Sequence, residues 1–390
     1  MNRTPVEPGS VLGVLGAGQL GALFAGAAAR LGFRVAVWDP DPDAPAHRLA
    51  THSFPKPFTD QEAFAQFAAL VSLVTYEWEN VPAQLCRRLE ETKPVRPSSA
   101  VLHLIQDRLV QKKFLADQGF PVPRFAALSG PDQLGEIARQ LGLPVLCKTA
   151  TAGYDGKGQW RITGESDLPE VERSLRASAP SRVRWIVEAF VPFERELSIL
   201  VARGIDGESV VYPPVENEHE EGILRTTLVP ASVPSTVVEQ AEKLARAVVE
   251  RIQGVGLFCL ELFQVPGGDL LINEIAPRPH NSGHYTLDAC TVSQFEQQVR
   301  AVCGMPLGEV RLLSPAAMVN LIGNDAETIR TGVECRALLA LPGAHVHLYG
   351  KRTIRPRRKM GHVTFLAEQR GTAQDCARRL RQSLITEQQR

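Results

Sequence analysis

Two glutamates in the second half of the chain are spaced so that they could hold a metal ion together. They lie in "LFCLELFQVPGGDLLINEI", where Gly267-Gly268 between two apolar runs predicts a β-hairpin. Pairing around this turn opposes residues whose numbers sum to 535, so Glu261 faces Glu274 at roughly 5 Å. Such carboxylates repel each other unless a cation lies between them, and Mg²⁺ accepts one or two carboxylates together with substrate phosphates. The alternative is an exposed pair at a sheet edge, tolerated in water.

A glycine-rich loop upstream of the hairpin could bind a chain of phosphates. In "CKTATAGYDGKGQWRI", glycines alternate with other residues after a strand that carries Lys148. The N–H groups of such a loop can turn toward phosphate oxygens, and the lysine adds a positive charge. The spacing differs from G-x-x-x-x-G-K-[ST], the phosphate loop of another nucleotide-binding class. The sequence predicts a nucleoside triphosphate site here, the alternative being a hairpin turn with an exposed lysine.

Two later segments could bind anions. Directly after the second glutamate, "PRPHNSGH" supplies Arg278 and His280, while its second proline and its glycine disfavour the regular helix of a His-x-x-x-His zinc site. Near the end, "YGKRTIRPRRKMGH" carries six basic residues, among them Lys351 and Arg358. Two of these side chains suffice to bind one phosphate monoester. The alternative for the rest of this run is a solvated charged face.

The first motif of the chain points to a different ligand. "GAGQLG", residues 16–21, matches G-x-G-x-x-G after an apolar run, and Asp39 follows at the distance typical of a dinucleotide-binding fold. By itself this pattern favours a dehydrogenase. It identifies one only if the rest of the chain supplies a site for hydride transfer, so NAD remains an alternative.

These motifs require alternating strands and helices to position them. Apolar patterns predict a βαβ unit from strands at 11–15 and 34–38 and a helix at 20–31. A helix at 60–69, a strand at 71–76 and a helix near Leu109–Leu115 follow. The fold class is therefore α/β.

Composition limits the functions that the chain can have. Its 390 residues suggest two or three domains, and 43 basic against 43 acidic residues give no field for nucleic acid or an anionic membrane. Residues 11–29 carry no charge, but five glycines argue against a signal peptide or a membrane span. Seven cysteines without a C-x-x-C pair indicate a reducing, cytoplasmic environment and no zinc ribbon.

Taken in order, the motifs resemble those of a known family. "GQLG", "ENVP", "QDRLVQK", "GYDGKGQ", "VPFERELS", "ENEH", "NEIAPRPHNSGHYT" and "YGK…RKMGH" are similar to the N5-carboxyaminoimidazole ribonucleotide synthetases, which are ATP-grasp ligases of purine biosynthesis. The resemblance covers residues 11 to about 365. It implies a three-domain ATP-grasp fold: a Rossmann-like pre-ATP-grasp domain at 1–101, a small lid domain at 102–182 and a C-terminal domain at 183–390.

The resemblance also implies a role for individual residues. ATP contacts fall on Arg108, Lys148, Gly153, Tyr154, Asp155, Gly156, Lys157, Gly158, Gln159, Glu188, Ala189, Phe190, Val191, Glu196, His219, Asn273 and Glu274. Metal ligands fall on Glu261 and Glu274, the catalytic set on Arg278, His280, Tyr154, Asp155 and Lys351, and the substrate phosphate site on Lys351, Arg358 and Gln19. The chain departs from the family at Ala150-Thr151-Ala152, where arginine and glycine are frequent, and at Arg357, where glycine is common.

As the family implies, ATP and Mg²⁺ activate bicarbonate as carboxyphosphate, which yields CO₂ or reacts directly, and the amine of 5-aminoimidazole ribonucleotide is carboxylated. A cytoplasmic homodimer is expected, with no nucleic acid or membrane partner. One alternative is another ATP-grasp ligase, such as a formate-dependent glycinamide ribonucleotide transformylase. A second is a regulator that binds ATP without turnover.

Overall fold

A parallel sheet begins the chain in the computed structural model, which describes residues 4–151, 158–178 and 184–388. Its strands are ordered β3-β2-β1-β4. The elements of this part are β1 (Val11–Leu15), α1 (Gln19–Arg30), β2 (Arg34–Trp38), β3 (His52–Phe54), α2 (Gln61–Leu70), β4 (Leu73–Tyr76), α3 (Ala83–Glu90) and α4 (Ser99–Gln106). The predicted βαβ unit is confirmed, and its two strands have the predicted bounds.

A small antiparallel sheet of order β5-β8-β6-β7 follows. Its elements are α5 (Arg108–Asp117), β5 (Phe125–Leu128), α6 (Leu134–Leu141), β6 (Val145–Thr149), β7 (Gln159–Ile162), α7 (Leu168–Ser178) and β8 (Trp185–Ala189). Helix α5 begins where the Asp107 carboxylate accepts hydrogen bonds from the N–H groups of Leu109 and Val110. This cap fixes Arg108 at the first helical position.

A large antiparallel sheet forms the rest of the chain, in the order β14-β13-β9-β11-β12-β15-β17-β16, with β10 paired to β9. Its elements are β9 (Arg195–Arg203), β10 (Ser209–Val211), β11 (Val215–Glu220), β12 (Ile223–Val229), α8 (Ser235–Arg251), β13 (Gly256–Gln264), β14 (Leu270–Ala276), α9 (Thr286–Ala289), α10 (Gln294–Cys303), β15 (Ala316–Ile322), α11 (Asp325–Thr331), α12 (Val333–Leu339), β16 (Ala344–Leu348), β17 (Lys359–Leu366) and α13 (Arg370–Gln388). Short 3₁₀ turns lie at Pro45–Arg48, Pro131–Gln133, Glu165–Asp167 and Asn281–Gly283.

Helix α1 joins the N-terminal sheet to the large one. Its apolar face buries Phe24 and Ala28 against β1 and β2, and the same cluster includes Phe295 and Val299 of α10. Helix α10 in turn packs on β13. Because these apolar surfaces leave water together, the glycine motif before α1 is held at a fixed distance from the hairpin.

The predicted domain limits stay a prediction, with two observations beside them. Residue 102 lies inside α4, and β8, assigned to the C-terminal domain, pairs with β5 and β6 of the small sheet. No helix in the described part of the chain combines the length and the apolar character that crossing a membrane requires.

Candidate active site

Strands β13 and β14 bring the two predicted metal ligands together. Glu261 pairs directly with Glu274, as predicted. The numbers of paired residues keep the predicted sum of 535 from this pair to Cys259 and Ala276. Closer to the turn the register is shifted by one, since Leu262 pairs with Ile272. The turn is therefore wider than the predicted two-residue loop, and a β-bulge at Asn273 restores the predicted pairing beyond it.

Each carboxylate of this pair has a basic partner. His280 Nε2 lies 3.0 Å from Glu261 Oε1, and Arg108 lies 3.3 Å from Glu274 Oε2. Burial alone would raise the pKa of Glu261, but His280 outweighs it and the pKa falls to about 2. For His280 burial opposes the charged form, and Cys259 and Glu261 together raise its pKa to about 10. Glu261 is therefore ionised at neutral pH.

The donor set fits a hard cation that also binds substrate. Both side chains offer carboxylate oxygens, the ligand type that Mg²⁺ prefers. Across residues 4–151, 158–178 and 184–388, no three His, Cys, Asp or Glu side chains are grouped as a metal site. An ion between Glu261 and Glu274 would thus take its remaining ligands from water and phosphate oxygens.

A buried carboxylate joins two lysines, one on α5 and one on β6. Lys148 Nζ donates to Glu188 Oε2 at 2.5 Å, and Lys112 Nζ lies 3.1 Å from Oε1. Burial would raise the pKa of Glu188, but the two positive charges lower it to about 2. Sequence reasoning missed Lys112, although it is three residues from both Leu109 and Leu115 and so lies on the apolar face of α5.

Much of the predicted phosphate loop lies outside the described residues, namely Gly153, Tyr154, Asp155, Gly156 and Lys157. The structure does describe the residues that flank this segment on both sides. Gly158 has a φ of 69° and its carbonyl accepts from Thr149 N at 2.8 Å, while Gln159 pairs with Lys148 across β6 and β7. Arg108 also reaches this point, since its guanidinium donates to Thr149 O at 3.3 Å.

Ala150, the first residue of the departure from the family, is anchored by its backbone. Its carbonyl accepts from Arg108 N at 2.7 Å, and its own N–H donates to Arg184 O at 2.8 Å. Ala152 lies outside the described residues.

A depression next to the carboxylate pair collects four predicted residues. It is lined by Glu196, Leu197, Asn217, His219, Glu261, Leu262, Phe263 and Asn273. Glu196 Oε2 and His219 Nδ1 are 2.5 Å apart, although the two residues come from different strands. Burial opposes protonation of His219, and Glu196 outweighs it and raises its pKa. The stacked rings of Phe193 and Phe263, 4.8 Å between centroids, adjoin this surface.

The strand that ends in the predicted adenine hinge is held by its backbone. Ala189 N donates to Arg124 O at 2.8 Å, and Phe190 N donates to Pro144 O at 3.0 Å. Val191 follows, and its carbonyl accepts from Phe193 N at 3.0 Å. These bonds fix the edge along which a flat ring could lie.

Arg278 is positioned by a residue that sequence reasoning did not single out. Its guanidinium forms a two-pronged ion pair with Glu79 of the "ENVP" motif, with 2.8 Å between Nη2 and Oε1. Although burial disfavours the charged form, Glu79 raises the pKa of Arg278. Such a fork fixes the plane of the guanidinium.

The G-x-G-x-x-G loop already holds a carboxylate of the chain itself. Gly18 N and Gly21 N donate to the two oxygens of Glu77 at 2.5 and 2.9 Å, and Ala17 N donates to Asp39 at 2.9 Å. A Cβ at Gly16 or Gly18 would lie within 3.0 Å of Glu77, which explains the glycines. In a dinucleotide-binding fold these N–H groups would face a pyrophosphate, so the geometry disfavours the NAD alternative.

The late basic segment lies against the N-terminal part. Arg48 donates to Gly350 O at 2.5 Å, and Arg352 pairs with Asp43 at 2.9 Å. Ala46 N in the same 3₁₀ turn donates to Ala17 O at 2.8 Å, next to Gln19. The structure therefore brings the loop of Gln19 and the segment of Lys351 to one region.

Within the late segment the basic side chains differ in their contacts. Lys351 Nζ donates to Lys359 O at 2.7 Å, and Arg358 donates to Thr353 O at 2.9 Å. Arg357 has a φ of 67°, in the left-handed region that favours glycine, the residue that the resemblance led us to expect here. Its side chain pairs with Glu221 at 3.0 Å.

Comparisons with known proteins point to one family. Three family models match consecutive segments: a ribonucleotide synthetase preATP-grasp domain at 10–106, an ATP-grasp domain at 113–295 and a phosphoribosylaminoimidazole carboxylase C-terminal domain at 316–375. The N5-carboxyaminoimidazole ribonucleotide synthase of Bacillus subtilis is 37% identical over 368 residues, which is 94% of each chain.

Solved structures agree with these matches. The crystal structure of an ADP complex of N5-carboxyaminoimidazole ribonucleotide synthetase aligns with a TM-score of 0.92 and 36% identity over 100% of both chains. The Aspergillus clavatus enzyme in complex with ADP and 5-aminoimidazole ribonucleotide aligns with a TM-score of 0.87 and 31% identity, over 99% of this chain and 100% of that one.

Proposed function

The chain belongs to the N5-carboxyaminoimidazole ribonucleotide synthase family of ATP-grasp enzymes, and we propose that it carboxylates 5-aminoimidazole ribonucleotide with ATP and bicarbonate. The observation that carries the proposal beyond family membership is the 3.0 Å contact between His280 and Glu261. It joins the anion-binding loop to the carboxylate pair, so an anion held by the loop would lie beside the terminal phosphate of ATP.

ATP is bound by residues of the small and the large sheet. Lys148 and the glycine loop face the phosphates, Ala189–Val191 border the adenine, and Glu196 with His219 faces the ribose. Glu261 and Glu274 would hold Mg²⁺, which would supply positive charge against the negative charge that develops during phosphoryl transfer. Arg108, 3.3 Å from Glu274, adds a fixed positive charge at the same place.

Carboxylation proceeds in two displacement steps. A bicarbonate oxygen attacks the γ-phosphorus, the bond to the bridging oxygen breaks and ADP leaves, which gives carboxyphosphate. The exocyclic amine of 5-aminoimidazole ribonucleotide then bonds to the carboxyl carbon, while phosphate leaves and the amine loses a proton. Arg278 and His280 bind the anion, with Arg278 held in one orientation by Glu79.

The 5′-phosphate of the ribonucleotide is bound by Lys351 and Arg358, with Gln19 on the opposite wall. Three contacts support a shared cleft: Arg48 with Gly350, Arg352 with Asp43, and Ala46 with Ala17. We assign Tyr154 and Asp155 of the glycine loop to the catalytic set, as the family resemblance implies, and we expect the loop to exclude the water that would hydrolyse carboxyphosphate.

We also propose a domain organisation, a location and an oligomeric state for the chain. The chain divides into domains at 1–101, 102–182 and 183–390, acts in the cytoplasm and forms a homodimer. Nucleic acids and membranes are not among its partners, since its charges balance at 43 against 43.

A coupled ADP-release assay tests the function. ADP release that requires both 5-aminoimidazole ribonucleotide and bicarbonate, with one carboxylated product per ADP, is expected. Release that instead requires glycinamide ribonucleotide and formate would identify the transformylase alternative. ATP binding without release under either condition would identify a non-catalytic regulator.

A further inference from the structure

A row of buried polar side chains leads away from His280 into the large sheet. His280 Nδ1 lies 2.8 Å from Ser282 Oγ, and Ser282 Oγ lies 2.7 Å from Ser198 Oγ on β9. The amide of Asn217 on β11 donates to Ser198 Oγ at 2.9 Å and accepts from Thr227 Oγ1 on β12 at 3.0 Å. The four residues beyond His280 are between 0% and 8% exposed.

The burial of these groups needs an explanation. A hydroxyl or amide in a sheet interior loses its water, and apolar residues of similar shape would avoid that cost. The neighbours of Ser198 along β9, Leu197 and Ile199, are apolar and pack into the core on the other face. The polar row occupies only the face that leads to the candidate active site, and Ser282 connects it to His280.

At its His280 end, the row bears on the orientation of the imidazole ring. The χ2 torsion of histidine is broad, so side-chain packing alone leaves the ring plane poorly fixed. Here Nδ1 lies 2.8 Å from Ser282 Oγ, while Nε2 lies 3.0 Å from Glu261. The hydroxyl of Ser282 can itself rotate, and Ser198 restricts it.

Resting on the function proposed above, we infer that Thr227, Asn217, Ser198 and Ser282 form a positioning network for His280. The network fixes the ring so that Nε2 stays directed at Glu261 and the reacting anion, as outer hydrogen bonds orient the histidines of other active sites. Ser198 is central, because it also lies directly across from Glu261 in the pairing of β9 with β13. Its hydroxyl acts on the His280–Glu261 contact through Ser282, to which it is hydrogen-bonded.

The sharpest test is Ser198→Ala, since Ser198 makes no contact with His280. Loss of its two buried hydrogen bonds, to Ser282 and from Asn217, is expected to lower kcat for ADP release about three- to tenfold, with KM for ATP changed less than about twofold. Ser282→Ala is expected to lower kcat at least as much. The double variant should match Ser282→Ala alone, because Ser198 acts through Ser282.

Ser383→Ala is the matched control. Ser383 is equally buried, at 1% exposed, and its hydroxyl donates to Arg379 O within α13 and not to a residue of the row. It should keep the wild-type kcat while losing some thermal stability. Thr227→Val, which keeps the shape, is the second variant if Ser198→Ala does not fold, with a kcat decrease in the same sense.

A nucleotide-free measurement separates this inference from the proposed function. The ring signals of His280 in a histidine-labelled protein are assigned by their absence in His280→Gln, and Ser198→Ala should shift them although it touches no ring atom. Unmoved signals in Ser198→Ala and Thr227→Val, or additive kcat losses in the double variant, would overturn the network. Absence of substrate-dependent turnover in the wild type, with the shifts present, would overturn the proposed function alone.

Discussion

Glu261 lies directly across from Glu274 because a β-bulge at Asn273 offsets the register of the adjoining turn by one residue. The bulge leaves the two carboxylates on one face and adds Asn273 to the depression beside them. A single position thus determines both the pairing of the proposed metal ligands and one wall of the proposed nucleotide site.

The first prediction is that Glu274→Gln abolishes Mg²⁺-dependent turnover and leaves the fold intact. The substitution removes a metal ligand but also relieves the repulsion between two carboxylates, so stability should hold or rise slightly. Steady-state kinetics over a magnesium titration and a thermal melt measure the two effects. Retention of more than about a tenth of the wild-type kcat contradicts the metal assignment.

Lys112→Met tests the buried charge cluster. The substitution leaves Glu188 with Lys148 as its remaining basic partner, so unfolding in urea should show a loss of about 1–3 kcal/mol. That is less than the about 3–5 kcal/mol expected when a buried charge loses its last partner. Lys113→Met is the matched control, since Lys113 is the exposed neighbour on the same helix and should change stability little.

The same cluster predicts a pH dependence. The pKa of Glu188 is about 2 in the folded chain, against about 4.3 for an unperturbed glutamate in the unfolded one. Its stabilising contribution is therefore complete above the unfolded value and is lost as the pH falls toward 2. Urea midpoints measured from pH 5 to the lowest pH at which the protein stays folded should fall more steeply for the wild type than for Lys112→Met/Glu188→Gln. Equal slopes for the wild type and the double variant would show that Glu188 does not dominate the loss of stability at acidic pH.

Local sequence patterns were sufficient to predict the elements that depend on residues close together in the chain. The βαβ unit and the hairpin follow from apolar periodicity and glycine pairs, and these were predictable. The register was predicted from a two-residue loop, whereas the observed turn is wider. The Glu261–Glu274 pairing nevertheless came out right, because the bulge compensates for that difference.

Partners that come from distant parts of the chain were not predictable in this way. Glu77 fills the glycine loop from 59 positions away, and Glu79 meets Arg278 across 199 positions. A single sequence offers no periodicity that links such residues. Lys112 could have been predicted from the sequence, since a lysine on the apolar face of a helix needs a buried partner.

His280→Ala should separate anion handling from nucleotide binding. His280 lies beside Glu261, but the proposal assigns it to bicarbonate and carboxyphosphate, so acceptor carboxylation should fall far more than ATP affinity. Nucleotide binding is followed by calorimetry, and carboxylation by product formation. A parallel fall in both would assign His280 to the nucleotide site instead.

The last prediction concerns the substrate phosphate. A charge-assisted contact contributes about 1.5–3 kcal/mol, so Arg358→Ala should raise KM for 5-aminoimidazole ribonucleotide about ten- to a hundredfold, and Lys351→Ala should act in the same sense. KM for ATP should stay within roughly threefold, because the proposed ATP site does not include this segment. The internal controls are Arg352→Ala and Arg357→Ala, whose side chains already pair with Asp43 and Glu221.

Small and equal effects at all four positions would contradict the phosphate site and would show that this segment is a solvated charged face. An unchanged KM for Arg358→Ala, with the other three as expected, would move the phosphate to the loop of Gln19, whose neighbour Ala17 is bonded to Ala46 beside this segment.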